Sequence, residues 1–293
     1  MVDRALIIRN PAAGRGRAER LWPEISSRLS HSGFSFEEVL TGRPGDASAI
    51  ARSATHKVVV AYGGDGTVHE VVNGLMEGGA RAAFGVIPVG SGDDFAKWLE
   101  SGDPVKRILN QRTRHVDVGR IVADGKVRYF ANGMDIGFGA HGARNVSAVP
   151  RFLTGLGAYL GALVLTLVRF PLLNVRIRID DGPERELTTV MTAVMNGTTF
   201  GGSFRVCPEA RPDDGELDVL IVDALGRLEI LGLVPRIMRG THAGDPRLEL
   251  RRAKKVTIAS EAPLLVEADG EIVFTGARRL EIGLLPGALS VLA

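Results

Sequence analysis

The sequence has 293 residues, 45% of them hydrophobic, which is long enough for one large domain or two ordinary ones with sizeable cores. The 36 Lys and Arg residues nearly balance the 34 Asp and Glu residues, so the net charge of +2 gives no electrostatic argument for a nucleic-acid partner. The single cysteine, Cys207, excludes an intramolecular disulfide, and no set of Cys and His residues has metal-ligand spacing. Composition therefore predicts a globular protein of a reducing compartment.

The N-terminal residues bear on localisation. Met1 to Arg4 lead directly into the apolar run Ala5 to Ile8, which is too short and too interrupted by charge for a signal peptide. We therefore expect a cytoplasmic protein.

The first 120 residues alternate short apolar runs with helical patterns. Strands are predicted at Ala5 to Ile8, Phe36 to Leu40, Val58 to Tyr62 and Phe84 to Val89. Helices are predicted near Glu19 to Leu29, Ala47 to Arg52 and Val68 to Met76. This alternation predicts an α/β domain over residues 1–120, with a parallel sheet covered by helices and a ligand at the carboxyl ends of its strands.

From Val127 onward the pattern changes, and most segments are strand-like. Strands are predicted at Val175 to Ile179, Val190 to Met195, Leu217 to Val222, Val256 to Ser260, Leu264 to Ala268 and Leu280 to Leu285. A helix is predicted around Leu228 to Met238. We expect a β-rich, sandwich-like second domain over residues 121–293, whose last strand can return to the first domain.

An uncharged segment, Phe152 to Val168, lies between Arg151 and Arg169. Its length is at the lower end of the range for a membrane-spanning helix, about 17 to 25 residues, and it contains several Gly and Thr residues. We expect a buried or surface-lying helix, and a membrane span is the alternative.

The most informative local pattern is the strand Val58 to Tyr62 followed by Gly63, Gly64, Asp65, Gly66 and Thr67 and then by apolar residues at helical spacing. Thr67 and Glu70 have the spacing of a capping box, which predicts a helix beginning right after the glycines. A glycine-rich turn at a helix N-terminus is suited to phosphate, and Asp65 beside phosphates would be a ligand of ATP-bound Mg²⁺. From spacing alone, a tight turn whose Asp only caps the helix is the alternative.

Two further glycine-bearing turns follow strands at the same predicted edge of the sheet. One is Asn10 to Arg17, with the letters NPAAGRGR. The other is Gly90 to Ala96, with the letters GSGDDFA. Three such turns at the ends of neighbouring strands favour a binding site over unrelated loops.

These motifs, NPAAG at Asn10 to Gly14, GGDGT at Gly63 to Thr67 and PVGSGDDFA at Pro88 to Ala96, resemble those of the diacylglycerol kinase catalytic family. That family comprises soluble bacterial lipid kinases related to sphingosine and ceramide kinases and, distantly, to NAD kinases. The resemblance continues through Asp117 and Gly119, Phe130 to Gly139 and Asn196 to Val219, and it ends at Asp269 to Glu271.

The resemblance implies an ATP site on the three turns of the first domain and on the Thr after the second strand. The implied nucleotide-binding residues are Asn10, Pro11, Gly14, Thr41, Gly63, Gly64, Asp65, Gly66, Thr67, Glu70, Gly90, Ser91 and Asp94. Asp65 is also an implied catalytic residue. Asp93 stands where family members usually carry Asn. Of these two acidic residues, only Asp94 is therefore assigned to nucleotide binding.

In the second domain the resemblance implies a Mg²⁺ held by Asp214 and by the backbone carbonyls of Arg211 and Glu216. Hard cations take oxygen ligands, and a Pro-Asp-Asp-Gly turn can present several of them. The alternative is a turn without metal whose Asp caps the backbone. Glu271 matches the family's general base, although without the resemblance it would be a solvated Glu on a hairpin turn.

The expected function is an ATP- and Mg²⁺-dependent lipid kinase that meets its substrate at a membrane surface. Two alternatives stay open: a kinase for NAD or another soluble hydroxyl compound, and a catalytically silent protein that binds nucleotide or lipid. The basic cluster Arg251, Arg252, Lys254 and Lys255 is interpreted as a solvated loop, and contact with anionic lipid head groups is its alternative role. The oligomeric state, a homodimer included, stays open.

Overall fold

The computed structural model describes residues 4–99, 102–146, 161–162, 165–168 and 170–293. It divides into two compact units, the first formed by residues 1–117 with 287–293 and the second by residues 118–286. Most of the segment from Phe152 to Val168 lies outside the described residues. No helix within the described ranges is long and apolar enough to cross a membrane.

The first unit alternates strands and helices, as the sequence predicts. Its strands are β1 (Ala5–Arg9), β2 (Phe36–Leu40), β3 (Val58–Gly63) and β4 (Ala83–Pro88), and its helices are α1 (Ala13–His31), α2 (Asp46–Ser53), α3 (Asp65–Glu77) and α4 (Pro104–Asn110). The strands are parallel, in the order β4, β3, β1, β2. This confirms the predicted α/β domain and brings the carboxyl ends of β1, β3 and β4 to one edge.

The core of the first unit explains why β1, β3 and β4 are nearly continuous apolar runs. All five residues of β1 are buried, and so are the last five residues of β3. Strands of a parallel sheet lose their alternation when both faces are covered. Trp22 of α1 and Tyr62 of β3 pack edge to face, and the Tyr62 hydroxyl donates to the Ala18 carbonyl, 2.8 Å away. These contacts fix α1 beside the end of β3.

The second unit consists mostly of antiparallel β-strands. Its strands are β5 (Thr113–Ala123), which enters from the first unit, β6 (Lys126–Phe130), β7 (Gly133–Gly137), β8 (Leu173–Ile179), β9 (Arg185–Met195), β10 (Leu217–Asp223), β11 (Leu248–Ala253), β12 (Lys255–Ala268) and β13 (Glu271–Leu292), whose last residues return to the first unit. Its helices include α5 (Phe138–Val146) and α6 (Arg227–Arg239). The predicted β-rich character is confirmed, and the two predicted strands from Val256 to Ala268 are one long strand.

Strand β10 shows how this unit builds two separate cores. Leu217, Val219 and Ile221 point into a core shared with β7, β8 and β12. Leu220 and Val222 point the other way, into a cluster that includes residues of α6. Because both faces are buried there, β10 carries the continuous apolar run Val219 to Val222 instead of an alternating pattern.

Candidate functional site

The first glycine-rich turn is tied to the end of β3 by Asn10. The Asn10 N–H donates to the Tyr62 carbonyl at 3.0 Å, and the Asn10 side-chain amide donates to the Thr67 hydroxyl at 3.1 Å. The Asn10 Oδ1 atom accepts the Ala12 N–H at 3.0 Å. Asn10 therefore holds the first turn in place against the GGDGT turn.

Gly14 explains why this turn needs a glycine. Its φ is +59°, and a Cβ atom placed there would lie 2.2 Å from the Val89 carbonyl oxygen at the end of β4. A side chain would be strained by the left-handed backbone and excluded by this contact. The close approach brings the first and third turns together.

Asp65 ties the second turn to the third. Its carboxylate accepts the backbone N–H of Asp93 at 2.8 Å and that of Asp94 at 2.7 Å. Burial, followed by the charge of Asp94 and then that of Asp93, raises the pKa of Asp65 to about 6. The predicted metal ligand thus also organises the turn that carries Asp94 and Ser91.

The third turn has its own internal bonds. The Asp93 carboxylate accepts the Gly90 N–H at 3.0 Å, and Asp93 adopts a left-handed backbone with a φ of +51°. Burial raises the pKa of Asp93, while Arg17 and Lys97 act against this. The Asp94 carboxylate pairs with the Lys97 ammonium at 2.7 Å. Ser91 is exposed on the same turn.

Thr41 follows β2, and its N–H donates to the Arg9 carbonyl at 2.9 Å. This bond places Thr41 beside Arg9, the last residue of β1, which directly precedes Asn10. The structure therefore brings the predicted residues of the first, second and third turns and Thr41 to one edge of the parallel sheet.

The capping-box prediction is wrong. Helix α3 begins at Asp65, inside the glycine-rich turn, and its N-cap residue, Gly64, has no side-chain cap. The Thr67 hydroxyl contacts Asn10 instead. The Glu70 carboxylate accepts the N–H groups of Gly45, at 2.8 Å, and Ala47, at 3.1 Å, so it caps α2.

Asp214 lies on a turn before β10, where it accepts the Glu216 N–H at 3.2 Å. The Arg252 guanidinium pairs with both Asp214 and Glu216, the latter at 2.9 Å. Burial raises the pKa of Asp218 to about 6; Arg252 opposes the rise, and Asp214 and Glu216 add to it. Among the described residues, no group of three or more His, Cys, Asp and Glu side chains is arranged to hold a metal ion.

The interpretation of the basic cluster as a loop is wrong. Arg251 and Arg252 are part of β11, and Lys255 begins β12. Arg251 forms an ion pair with Glu249, and Arg252 pairs with the acidic turn at Asp214. Half of this cluster is thus engaged in ion pairs within the protein.

Glu271 is the first residue of β13 and is exposed. It pairs in register with Ala268, so Asp269 and Gly270, with φ of +50° and +94°, form a two-residue hairpin turn. The Asp269 carboxylate accepts three consecutive N–H groups, those of Ala131, Asn132 and Gly133, at 2.9 to 3.1 Å. The predicted base therefore stands on a turn with a well-defined backbone.

Beneath this turn lie two buried carboxyls that sequence reasoning missed. Glu267 and Asp135 are register partners on β12 and β7, and they are 0% and 1% exposed. Burial is the main cause of a raised pKa in both. It raises the pKa of Asp135 to about 7 and the pKa of Glu267 well above its usual value. A carboxylate inside an apolar strand, as in GMDIG and LLVEA, is the pattern that could have revealed them.

An apolar pocket of about 220 Å³ lies in the second unit beside these residues. It is lined by side chains of α5, β9 and α6, among them Phe138, Met191, Ile230 and Leu233. Among the described residues of its wall, Glu267 is the one with an acidic side chain, and Gly270 of the hairpin turn also contributes. The other side chains that the structure describes there are apolar, so the pocket can take a hydrocarbon chain.

The fold and the three turns define a kinase-like α/β unit joined to a β-rich unit, and comparison with known proteins gives the family. The diacylglycerol kinase catalytic domain family matches residues 4–121, and the YegS C-terminal NAD kinase beta sandwich-like domain family matches residues 132–293. The chain belongs to the diacylglycerol kinase family of kinases.

Several relatives match nearly the whole chain. A YegS-like lipid kinase of Chromohalobacter salexigens is 34% identical, with 92% of this chain and 88% of the relative covered. A diacylglycerol kinase of Staphylococcus saprophyticus is 28% identical, with 92% and 90% covered. A solved structure from Bacillus anthracis str. Sterne has a TM-score of 0.80 and is 26% identical, with 99% of this chain and 96% of that chain covered.

Proposed function

We propose that this protein is an ATP-dependent lipid kinase that transfers the γ-phosphate of ATP to a hydroxyl group of a lipid. The observation that carries the proposal is the apolar pocket, whose wall includes Gly270, the residue before Glu271. A wall of this kind favours a hydrocarbon chain over a polar, soluble acceptor such as NAD. The lipid chain would bind there with its hydroxyl toward the hairpin turn.

The three turns of the first unit support the ATP part of the proposal. Gly14, Gly64 and Gly90 allow a close backbone approach, and α3 begins within the second turn. Backbone N–H groups at such a helix start favour phosphate oxygens. In this proposal the phosphates of ATP bind to these turns, with Thr41 and Ser91 at their margin.

Glu271 is the proposed general base. Its carboxylate takes the proton of the lipid hydroxyl while the hydroxyl oxygen forms a bond to the γ-phosphorus, and the bond from that phosphorus to the β–γ bridging oxygen breaks. The products are the phosphorylated lipid and ADP. Mg²⁺, held through the oxygens of Asp65, would neutralise phosphate charge during the transfer. The half-buried Asp65, whose pKa is raised to about 6, fits this role, since a nearby cation would favour its ionised form.

A second Mg²⁺ site at Asp214 is part of the proposal. The proposed ligands are the Asp214 carboxylate and the backbone carbonyls of Arg211 and Glu216. Burial is the main cause that raises the pKa of Asp218, and the negative charges of Asp214 and Glu216, which add to the rise, favour a cation. Arg252 supplies positive charge at this surface. A cation there would compete with Arg252 for Asp214.

We also propose a cytoplasmic protein that contacts a membrane peripherally. Leu165, Leu228 and Leu231 are 45%, 82% and 44% exposed. Leu228 and Leu231 lie on α6, which also lines the pocket. Exposed apolar side chains next to a chain-binding pocket suit a lipid that enters from a membrane surface.

The test is transfer of labelled γ-phosphate from ATP with Mg²⁺ to lipids in mixed micelles, with diacylglycerol, the substrate named for the staphylococcal relatives, tried first. We expect Glu271→Ala to lower the turnover by about 10²- to 10⁴-fold, because it removes the base, and to leave ATP binding unchanged. Glu261→Ala, an exposed site on the same hairpin, is the matched control.

Label in NAD but in no lipid would contradict the choice of acceptor. Absence of label in every acceptor, with ATP bound normally, would favour the catalytically silent alternative. Unchanged turnover in Glu271→Ala would remove Glu271 from the mechanism.

A further inference from the structure

The two buried carboxyls, Asp135 and Glu267, have no role in the proposed phosphate transfer, yet Glu267 contacts the turn that carries Glu271. They lie side by side because they are register partners on antiparallel strands, and cross-strand partners share one face of the sheet. Both are almost fully buried. Burying a carboxyl costs free energy unless the carboxyl is paired or protonated. The burial of two neighbouring carboxyls therefore requires an explanation.

The surroundings of the pair contain no compensating cation within the described ranges. The groups that face it are the Asp269 carboxylate from the hairpin turn and the N–H groups of Gly270, Gly139 and Ala140. Within the part of the chain that the structure describes, both Asp135 oxygens and the Glu267 Oε2 atom lack a partner with hydrogen-bond geometry. Two neighbouring carboxyls in such a site disfavour a second negative charge, so the pair favours the state in which one of them is protonated.

Glu267 connects the pair to the catalytic turn. Its Oε1 atom accepts the N–H of Gly270, the residue that immediately precedes Glu271. The turn is therefore held from two sides, by Glu267 at Gly270 and by the bonds that Asp269 accepts from residues 131–133. A change at Glu267 reaches the backbone of Glu271 through one hydrogen bond.

We propose that Asp135 and Glu267 form a positioning site for Glu271: one of the two carboxyls stays protonated, and in that state Glu267 fixes the hairpin turn through the Gly270 N–H. The inference rests on the proposed role of Glu271. The pKa of Asp135 near 7, with that of Glu267 well above its usual value, means that the pair keeps a proton at neutral pH. At higher pH a second negative charge develops beside the first, and their repulsion displaces the turn.

The kinetic test is the pH profile of kcat in the wild type and in Glu267→Gln. The amide oxygen of Gln can accept the Gly270 N–H, and the side chain cannot ionise. We expect the wild type to lose kcat as pH rises above neutrality, and Glu267→Gln to stay active without this loss. Glu267→Ala should lower kcat about 10²-fold at every pH, because small misplacements of reacting groups cost that much, with the KM for ATP unchanged.

A second measurement does not need turnover. The NMR amide shift of Gly270 should titrate with the pair in the wild type and stay flat in Glu267→Gln. Glu261→Gln, on an exposed part of β12, is the control and should follow the wild type in both measurements.

A Glu267→Gln variant with the wild-type pH profile, or with a Gly270 shift that still titrates, would overturn the positioning site. Absence of lipid phosphorylation in the wild type would contradict the proposed function. The Gly270 titration would then still test whether Asp135 and Glu267 act on the hairpin turn.

Discussion

The turns of the first unit and the hairpin of the second unit are built on different principles. In the first unit, backbone geometry carries the arrangement, since Gly14 allows a close approach and Asp65 accepts two backbone N–H groups. In the second unit, burial carries it, since Glu267 and Asp135 are buried under an exposed Glu271. The comparison teaches that a site made of backbone groups leaves a motif of several residues in the sequence, whereas one made of buried side chains leaves only single charged residues inside apolar runs.

Among Asp65→Ala, Gly14→Ala, Ala143→Leu and Glu70→Ala, the largest expected effect is that of Asp65→Ala. Removing its carboxylate releases the N–H groups of Asp93 and Asp94 and removes the proposed Mg²⁺ ligand. We expect a fall in kcat/KM for ATP of about 10²- to 10³-fold, the loss typical of an electrostatic group at the reacting phosphates. Steady-state kinetics of phosphate transfer measure it. Asp65→Asn, which keeps the shape and one acceptor oxygen, should lose less, and an equal loss would show that charge alone matters.

Gly14→Ala should test the close approach of the first and third turns. The added Cβ would meet the Val89 carbonyl oxygen and occupy a left-handed backbone, so we expect a loss of unfolding free energy of about 2 kcal/mol. Denaturant unfolding measures it. Gly16→Ala is the matched control, because its φ is +83° but its Cβ would have no atom within 4 Å. Equal losses in the two variants would mean that backbone strain, not the contact, explains the glycine.

Ala143→Leu should probe the apolar pocket of the second unit. Ala143 lines the pocket on α5, and leucine is a good helix former that would occupy space needed by a lipid chain. We expect the KM for lipid to rise about tenfold, which corresponds to one or two lost methylene contacts. The KM for ATP should not change. A rise in the KM for ATP of the same size would indicate general damage to the fold.

Glu70→Ala should have the smallest effect of the four. Its carboxylate caps α2 through Gly45 and Ala47, so its removal should lower the unfolding free energy by about 1 kcal/mol, the usual value for a lost cap. Thermal unfolding measures the change. If Glu70→Ala instead raised the KM for ATP without loss of stability, Glu70 would act as a nucleotide-binding residue.

Errors in the sequence-based predictions came from side chains that reach another element. Thr67 and Glu70 have the spacing of a cap but lie inside a helix that begins earlier. Spacing along the chain cannot distinguish these cases, because each partner comes from a distant segment.

The sequence by itself determined the alternating first unit, the strand-rich second unit and the family. Apolar periodicity and glycine turns are local properties, and three turns after three parallel strands must meet at one edge. Only the tertiary structure decided that Asp65 binds the third turn, that Glu70 caps α2 and that Asp135 lies against Glu267. The physical reason is that burial and hydrogen-bond partners depend on which distant strands become neighbours, and pairing β7 with β12 buried two carboxyls side by side.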